Sequence, residues 1–420
     1  MSTFSTAITG LKAYQTDLGV IGNNIANANT TGYKASRAQF SDLLVQTLQG
    51  ATPPSGGTGG IDPKQIGAGV IVGGIQNIQT QGAIEPTGRS SDLAIQGEGF
   101  FVLSNGEGQI YTRVGTFELD ATGNLVDSGT GLKVQGIDKG DISIPVGSNK
   151  AKATTAVELA GNLDASAVDD PQTLTKDETA LDTSFFVIDS LGGKHEISIQ
   201  FTKPSASAAT WNYSVSAVSG SGETPSFTGP TSGSFTFAVS GADTGKVDMS
   251  TITGPGSAGG FFSFNPGNAA ASGQSVAIDF SYITGFAALS NVSMKQQDGL
   301  PPGSLSSFNV GADGKVNGVY SNGLVTVIDT LKMASFSNPA GLLRLANGQF
   351  GETPNSGVAQ MGAAGTGGRG TIVAGALEQS NVDLGTELVN LIIAQRGYES
   401  NAQVIKVAND IQQTTLNLLR

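Results

Sequence analysis

The C-terminal stretch LGTELVNLIIAQRGYESNAQVIKVANDIQQTTLNLL (Leu384 to Leu419) repeats apolar residues every seven positions. One row holds Leu384, Leu391, Tyr398, Ile405 and Leu419, with Gln412 in the gap, and a second row holds Leu388, Gln395, Ala402, Asn409 and Leu416. Such a pattern is typical of helices that pack lengthwise against other helices. At about 1.5 Å per residue this helix would be roughly 54 Å long, more than a small domain is wide. We therefore expect the other terminus or other chains to cover its apolar seam.

The N-terminal segment from Phe4 to Ala28 carries a matching pattern. Its two rows are Phe4, Leu11, Leu18 and Ile25, and, three residues later, Ala7, Tyr14, Ile21 and Ala28. The segment has few charges, chiefly Lys12 and Asp17, whereas a stable exposed helix usually has charged faces. Two interpretations stay open: a helical hairpin that only closes the fold, and a seam through which copies of the chain assemble. We favour assembly through the apolar members of these rows.

Composition argues against several classes of protein. The 420 residues predict two or three domains, and 60 glycines with only 13% charged residues fit many tight turns between short strands. A net charge of −12 without a basic patch argues against nucleic-acid binding. The sequence contains no apolar run of about 18 residues, so no membrane-spanning helix is predicted. Without Cys there are no disulfides. The N-terminus lacks a basic region followed by an apolar core, so we expect no cleavable signal.

Residues 35–69 are expected to connect the first helix to the rest of the chain. Phe40, Leu43, Leu44 and Leu48 lie near helical spacing and predict a short helix over 35–48. Beyond it, residues 50–69 are rich in Gly and Pro, which indicates a loop or a hinge.

From Val70 the period becomes strand-like, with short apolar runs broken by turns such as Asn105-Gly106. A hairpin is expected around Leu191-Gly192-Gly193, and Asn381 or Asp383 is expected to cap the last helix. The fold class is therefore mixed α and β, mostly β, with terminal helices that form a coiled-coil-like domain around two nested β-domains. The expected domains are a helical assembly domain (1–34, 376–420), a connecting region (35–69, 362–375), an inner β-domain (70–145, 290–361) and an outer inserted β-domain (146–289).

The sequence shows no recognisable catalytic, cofactor or metal site, so we expect no enzyme activity. The single His195 lies at a hairpin edge without a Gly-x-Ser-x-Gly elbow, and a surface position explains it better than a triad. Asp120-Ala121-Thr122-Gly123-Asn124 superficially resembles a calcium loop but lacks the spaced acidic ligands and the terminal Glu. A turn is the better interpretation of that segment.

Three longer blocks resemble those of bacterial flagellar rod and hook proteins. They are Gly10 to Ala13 with Ile21 to Asn27 and Thr31-Gly32-Tyr33-Lys34; TGRSSDLAIQGEGFFV (Thr87 to Val102); and GALEQSNVD (Gly375 to Asp383) with AQRGYE (Ala394 to Glu399). These blocks are specific, but they cover only the two ends and the start of the first β-domain. The large insertion, and Asp298-Gly299-Leu300-Pro301-Pro302 after it, resemble the hook branch of the family. Rod proteins typically lack such an insertion.

This resemblance implies a structural subunit of the flagellar hook, in which many copies form a curved, flexible tube that transmits torque from rod to filament. It implies self-association, and as further partners the distal rod protein, the hook cap protein, the hook–filament junction protein and the type III export apparatus. Nucleic acid and membrane insertion are not expected. The chain would be extracellular, in the hook and basal body, after export without a cleaved signal. A straight distal rod subunit and a secreted β-rich adhesin or hydrolase remain the alternatives.

Overall fold

The computed structural model describes residues 2–51, 53, 59–60, 62–106, 108–167, 180–204, 209–218, 226–228, 230–254, 262–267 and 270–418. The chain divides into two compact units. Unit 1 comprises Met1–Ile144, Phe308–Asn317 and Val327–Arg420, and unit 2 comprises Pro145–Ser307 and Gly318–Thr326.

The first part of unit 1 begins with the long helix α1 (Ser2–Ala26). An Asn- and Thr-rich loop follows and reaches Gly32, whose φ of +68° suits glycine. The strands after it are β1 (Ser36–Asp42), β2 (Val45–Gln49), β3 (Lys64–Gly67), β4 (Val70–Asn77), β5 (Ile84–Pro86), β6 (Leu93–Gln96), β7 (Phe100–Ser104), β8 (Gln109–Thr112), β9 (Phe117–Leu119), β10 (Leu125–Asp127) and β11 (Lys133–Val134).

The prediction of a helix over 35–48 is wrong. β1 pairs antiparallel with β4, and β2 with β3, so this region forms two β-ribbons. Phe40 packs against Tyr14 of α1 with 5.6 Å between ring centroids, and Gln39 Nε2 donates to Gln76 Oε1 of β4 at 2.9 Å. Cross-strand pairing thus overrides the local spacing. β3 also occupies part of the expected hinge over 50–69, of which residues 52, 54–58 and 61 lie outside the described residues.

Unit 2 is a β-structure with one hydrophobic core. Its strands are β12 (Asn149–Lys152), β13 (Ala156–Asn162), β14 (Ala180–Ile188), β15 (Lys194–Thr202), β16 (Thr210–Ala217), β17 (Ser226–Thr228), β18 (Ser232–Phe237), β19 (Val247–Asp248), β20 (Phe262–Asn265), β21 (Gln274–Thr284) and β22 (Ser293–Gln297), with a short 3₁₀ helix at Met249–Thr251. Two five-stranded sheets, ordered β17-β20-β21-β13-β22 and β14-β15-β16-β18-β19, contribute to the core. Trp211 is fully enclosed there. The β14–β15 pairing confirms the expected hairpin.

The rest of the chain alternates between the two units over residues 300–330 and then continues in unit 1 to the second long helix. Its elements are β23 (Leu300–Val310), β24 (Lys315–Tyr320), β25 (Val325–Thr330), β26 (Met333–Ser335), β27 (Leu343–Arg344), β28 (Gln349–Gly351), β29 (Gln360–Gly362), β30 (Thr371–Ala374), β31 (Ala376–Glu378) and α2 (Leu384–Leu418), with a 3₁₀ helix at Pro339–Gly341. β26 to β29 join β7 to β11 in a nine-stranded sheet. β30 pairs with β6, and β31 with β5.

The start of α2 confirms one of the two expected caps. Asp383 Oδ1 accepts hydrogen bonds from the backbone N–H of Gly385 at 2.8 Å and of Thr386 at 3.4 Å. The side chain therefore satisfies N–H groups that the first turn leaves without a helical partner. Asn381 has a different role. Its Oδ1 accepts a hydrogen bond from Ala35 N and its Nδ2 donates to Ile78 O, next to the ends of β1 and β4.

Candidate assembly interface

The two long helices of unit 1 pair in antiparallel fashion. At Gly10 of α1 an added Cβ would lie 2.7 Å from Asn401 Oδ1 of α2, and at Gly397 of α2 it would lie 2.5 Å from the ring of Tyr14. At both glycines a side chain of the other helix occupies the space that a larger residue would need. Gly10 and Tyr14 are one helical turn apart on α1, and Asn401 and Gly397 are one turn apart on α2 in the opposite direction. The two contacts therefore belong to one antiparallel register.

The side of α2 that faces α1 is a heptad row, which we call the inner seam. Its members, all at least partly buried, are Glu387, Leu391, Ala394, Tyr398, Asn401, Ile405 and Ala408. The opposing residues of α1 are Ala7, Gly10, Tyr14, Asp17, Ile21 and Asn24. Near the end of α1, Asn24 Nδ2 donates to Glu387 Oε1 at 3.2 Å, which continues the same register. A helical hairpin within one chain therefore forms.

The structure separates the predicted seam residues into three groups. Those buried or partly buried are Ala7, Leu11, Tyr14, Leu18, Ile21, Ile25, Leu391, Tyr398, Ala402 and Ile405. Those exposed are Phe4, Leu384, Leu388 and Leu416. Leu419 lies outside the described residues. The inner seam also contains polar or small residues such as Ala394 and Asn401. The spacing of apolar residues alone does not identify these positions.

A further apolar row on α2, which we call the outer seam, is exposed. It consists of Val389, Ile393, Val404, Val407 and Ile411, whose exposed fractions range from 46 to 60%. The row covers roughly 33 Å of helix at about 1.5 Å per residue. A groove of about 650 Å³ beside it is lined by several of these residues together with Phe4 and Gln403. Between Ile393 and Val404 the same helix face carries Arg396 and Ser400, so the row consists of two exposed apolar stretches. Exposed apolar surface of this kind marks an interaction site.

The C-terminal end of α2 extends beyond α1. In the register set by Gly10 and Asn401, the first residue of α1 lies opposite Asn409. Every described side chain from Asn409 to Asn417 is exposed. The helix therefore offers about two turns that its own hairpin partner does not reach.

The ribbon formed by β2 and β3 is a second exposed apolar surface in unit 1. All residues of both strands are exposed, and Leu44, Leu48 and Ile66 expose 83, 60 and 51% of their surface. A two-stranded ribbon without a covered face is marginal in water. This surface, like the outer seam, is suited to contact with another chain.

A buried ionic cluster lies where the helical pair meets strands β5, β8 and β31 of unit 1, which we call the inner strands. We call it the Glu378 cluster; it consists of Lys34, Arg113 and Glu378, whose side chains are 1, 3 and 0% exposed. Glu378 Oε1 accepts from Lys34 Nζ at 2.7 Å and Oε2 accepts from Arg113 Nη1 at 3.2 Å. Burial lowers the pKa of Lys34, although Glu378 opposes this effect. No local sequence pattern predicts the cluster, because isolated charges normally lie on the surface.

Two asparagines reinforce the same junction. Asn24 Oδ1 accepts from Ser36 N at 3.0 Å and from the Tyr33 hydroxyl at 3.2 Å, so the end of α1 is tied to the start of β1. Asn381 Oδ1 accepts from Ala35 N at 2.7 Å, which ties the residues before α2 to the same point. The junction therefore binds the ends of both helices.

Burial affects the pKa values of two carboxyl groups on the helical pair, those of Asp17 and Glu387. Burial raises the pKa of Asp17. Burial also raises the pKa of Glu387, with hydrogen bonds from Asn24 and Asn390 opposing the effect and the negative charge of Asp17 adding to it. Because a raised folded-state pKa means that the folded state binds protons more tightly, the helical pair loses stability as the pH rises above about 4.5.

Among the described residues the structure brings together no metal-binding constellation. No group of three or more His, Asp or Glu side chains there is placed to hold a metal. The expectation of a surface position for His195 is wrong: the ring is buried, its Nε2 lies 2.9 Å from Asp189 Oδ2, and it packs on Phe264. Asp120 Oδ1 accepts from the N–H groups of Thr122 and Asn124, which confirms a turn. No described helix is long and apolar enough to cross a membrane.

Four family models match successive parts of the chain. They are Flagella basal body rod protein over residues 4–34, Flagellar hook protein FlgE/F/G D1 domain over 94–164, Flagellar basal body protein FlaE D2 domain over 162–300, and Flagellar basal body rod FlgEFG protein C-terminal over 373–418. The first and last matches cover most of α1 and α2. The helical pair thus coincides with terminal segments that axial proteins of the flagellum share.

Curated relatives match along the whole chain. The flagellar hook protein FlgE of Treponema pallidum is 33% identical, with 100% of both chains covered. That of Escherichia coli is 35% identical, with 99% of both covered. The flagellar basal-body rod protein FlgG of Bacillus subtilis is 27% identical over 98% of this chain and 97% of its own. The crystal structure of Helicobacter pylori flagellar hook protein FlgE2 aligns at 15% identity and a TM-score of 0.45, covering 70% of this chain and 100% of that one.

Proposed function

The chain belongs to the flagellar hook protein FlgE family, and we propose that its copies polymerise into a curved, flexible helical tube that transmits torque from the rod to the filament. As a member of that family it is a structural subunit of the flagellar hook. The observation that carries the assembly mechanism is the outer seam of α2, an apolar row that α1 leaves uncovered.

The occupant of the outer seam is a second copy of this chain. The inner seam already has its partner in α1, while the outer row continues along the helix and past the end of α1. Heptad rows are complementary to other helices, and the terminal helices of neighbouring copies offer such rows. Of the predicted seam residues, the exposed Phe4, Leu384, Leu388 and Leu416 would contact neighbours directly, and the partly buried Leu18 and Leu391 would maintain the hairpin that presents them.

The finer details of the role are part of the same proposal. Besides copies of itself, the chain would contact the distal rod protein, the hook cap protein and the hook–filament junction protein, after passage through the type III export apparatus without a cleaved signal. It would act as a non-enzymatic structural protein, without nucleic acid or membrane insertion. The division into a helical assembly domain, a connecting region and inner and outer β-domains, with the residue bounds given above, also remains a proposal.

A distal rod subunit is the second candidate, because the rod protein FlgG of Bacillus subtilis also matches nearly the whole chain. The hook proteins of Treponema pallidum and Escherichia coli are more similar, at 33 and 35% identity against 27%. The adhesin or hydrolase alternative would place a ligand site in residues 145–289, where no described His, Asp or Glu side chains form a group that could hold a metal.

Immunogold electron microscopy of flagella sheared from the source cells tests the function directly. Antibody against this chain should label the short curved segment between rod and filament. Label restricted to the straight rod would instead establish the rod subunit. Flagella without any label would contradict both readings and return the adhesin to first place.

A further inference from the structure

We infer that Glu378 is a positioning residue that, with Lys34 and Arg113, fixes the direction in which the helical pair leaves the inner strands, so that torque crosses this junction without bending it. The inference rests on the proposed function, since it concerns how torque passes from the helices to the β-structure. It adds a mechanical role to a cluster whose members are not among the predicted assembly residues.

One carboxylate joins four separate segments of unit 1. Glu378 Oε1 accepts from Lys34 Nζ and from Gly82 N at 2.9 Å, and Oε2 accepts from Arg113. The two cations reach further: Lys34 Nζ donates to Thr80 O at 2.7 Å, and Arg113 Nη2 donates to Gly97 O at 2.9 Å. Hydrogen bonds with charged partners are short and directional, so they fix orientation as well as distance.

Backbone hydrogen bonds also join the segments at this junction. Gly32 N donates to Glu378 O at 2.8 Å, so the loop after α1 and the strand before α2 are joined directly. Arg344 adds a further link, with its guanidinium 4.1 Å from the centroid of the Tyr33 ring and its Nη1 donating to Lys34 O at 3.2 Å. To bend at this point, the chain would have to separate buried charges without hydration, which is strongly unfavourable.

The cluster carries two positive charges and one negative charge in a buried site. Such an arrangement is a poor device for stability alone, since well-packed apolar residues of similar volume are often as stable or more so. What the ionic cluster supplies, and an apolar one would not, is a fixed direction for each contact. We therefore expect changes at Glu378 to alter orientation even where the chain remains folded.

Labels on the two sides of the junction can measure this orientation. The chain has no Cys, so Gln109→Cys on β8 and Gln395→Cys on α2, both exposed positions, provide two unique sites for spin labels. Tubes assembled from labelled chains diluted with unlabelled ones would give the distribution of distances between the labels by electron spin resonance. The variant is Glu378→Gln. Its control is Glu118→Gln in the exposed pair with Arg89, where the side chains are 51 and 58% exposed.

We expect Glu378→Gln to widen the distance distribution about twofold, because directional ionic contacts are lost, and to make the tubes more flexible under the microscope. Glu118→Gln should leave both unchanged. An unaltered width and stiffness in Glu378→Gln would overturn the inference. If Glu378→Gln does not fold, the combined variant Lys34→Met, Arg113→Met, Glu378→Met keeps an apolar filling; it should fold with a wide distribution, and a narrow one would equally overturn the inference.

Failure of the unvaried chain to form tubes would count against the proposed function and not against the role of Glu378. In that case the same two labels report the orientation of the helical pair in the soluble chain. A broader distribution for Glu378→Gln than for Glu118→Gln would then still support the inference, and equal widths would contradict it.

Discussion

Gly397 of α2 lies against the ring of Tyr14 of α1, so closely that an added Cβ would stand 2.5 Å from Cζ. In an isolated helix, replacing Gly by Ala gains about 1 kcal/mol. Here the methyl group would overpack the contact, at a cost of about 1–3 kcal/mol. We therefore expect Gly397→Ala to destabilise the helical pair by roughly 1 kcal/mol. Hydrogen exchange of the α1 and α2 amides in the soluble chain measures this difference.

Gly19 provides the matched control, since it lies on an exposed side of α1 where an added Cβ would meet no atom within 4 Å. There the gain in helix propensity is unopposed, so Gly19→Ala should slow exchange of the same amides. Equal effects of the two substitutions, in either direction, would show that the two helices do not approach each other at Tyr14.

The outer seam predicts a sharp distinction between neighbouring positions on α2. Val407 is 47% exposed within the apolar row, and an Asp there would be buried without a partner once a second copy covers it. A penalty of about 3 kcal/mol per contact raises the critical concentration for assembly roughly 100-fold. Val407→Asp should therefore yield folded chains that form no tubes when examined by sedimentation and electron microscopy.

Gln413→Glu is the control for this substitution, because Gln413 is exposed on the side of α2 opposite Ile411 and lies in neither the outer seam nor the predicted heptad rows. It introduces the same charge with little change of shape and should leave assembly nearly intact. Leu391→Asp and Leu18→Asp, at partly buried positions of the hairpin, should also abolish assembly, but with loss of the helical pairing itself. Normal tubes from Val407→Asp would exclude the outer seam as a contact between copies.

The terminal patterns predict both long helices and their involvement in packing, since apolar residues at heptad spacing persist over many turns. They do not tell which row faces which partner. Leu388 and Leu416 lie in an apolar row and are exposed, whereas Asn401 is polar and lies in the inner seam. The pairing side is decided by close approach at Gly10 and Gly397, and small residues give no hydrophobic signal.

Long-range pairing explains the other differences between expectation and structure. The segment around Phe40 has apolar residues near helical spacing, but its partner strand β4 lies some thirty residues further along the chain, and single-segment periodicity cannot include that pairing. The Glu378 cluster joins residues from opposite ends of the sequence. Charged residues within Gly-rich motifs are ordinarily read as exposed, so neither contact could be derived from local pattern.

Asp298 gives unit 2 a dependence on acid that can be isolated from the rest of the chain. Burial alone would raise the pKa of its carboxyl, but hydrogen bonds from Thr155 and Ala156 and the ion pair with Lys152 at 3.1 Å outweigh that effect and lower the pKa to about 2. A folded-state pKa below the unfolded value stabilises the fold at higher pH. This stabilisation is present above about pH 4 and is lost as the pH falls towards 2.

Trp211 makes the measurement specific, because it is the single Trp of the chain and is enclosed in the core of unit 2. Urea unfolding followed by its fluorescence should show Asp298→Asn less stable than the unvaried chain by about 1 kcal/mol at pH 7, after allowance for solvent screening at this partly exposed site. The difference should shrink as the pH falls towards 2, where about half of the Asp298 carboxyl groups in the folded, unvaried chain are protonated. A difference that stays constant between the two pH values would mean that Asn disturbs packing, and that the carboxylate of Asp298 does not stabilise unit 2 through its charge.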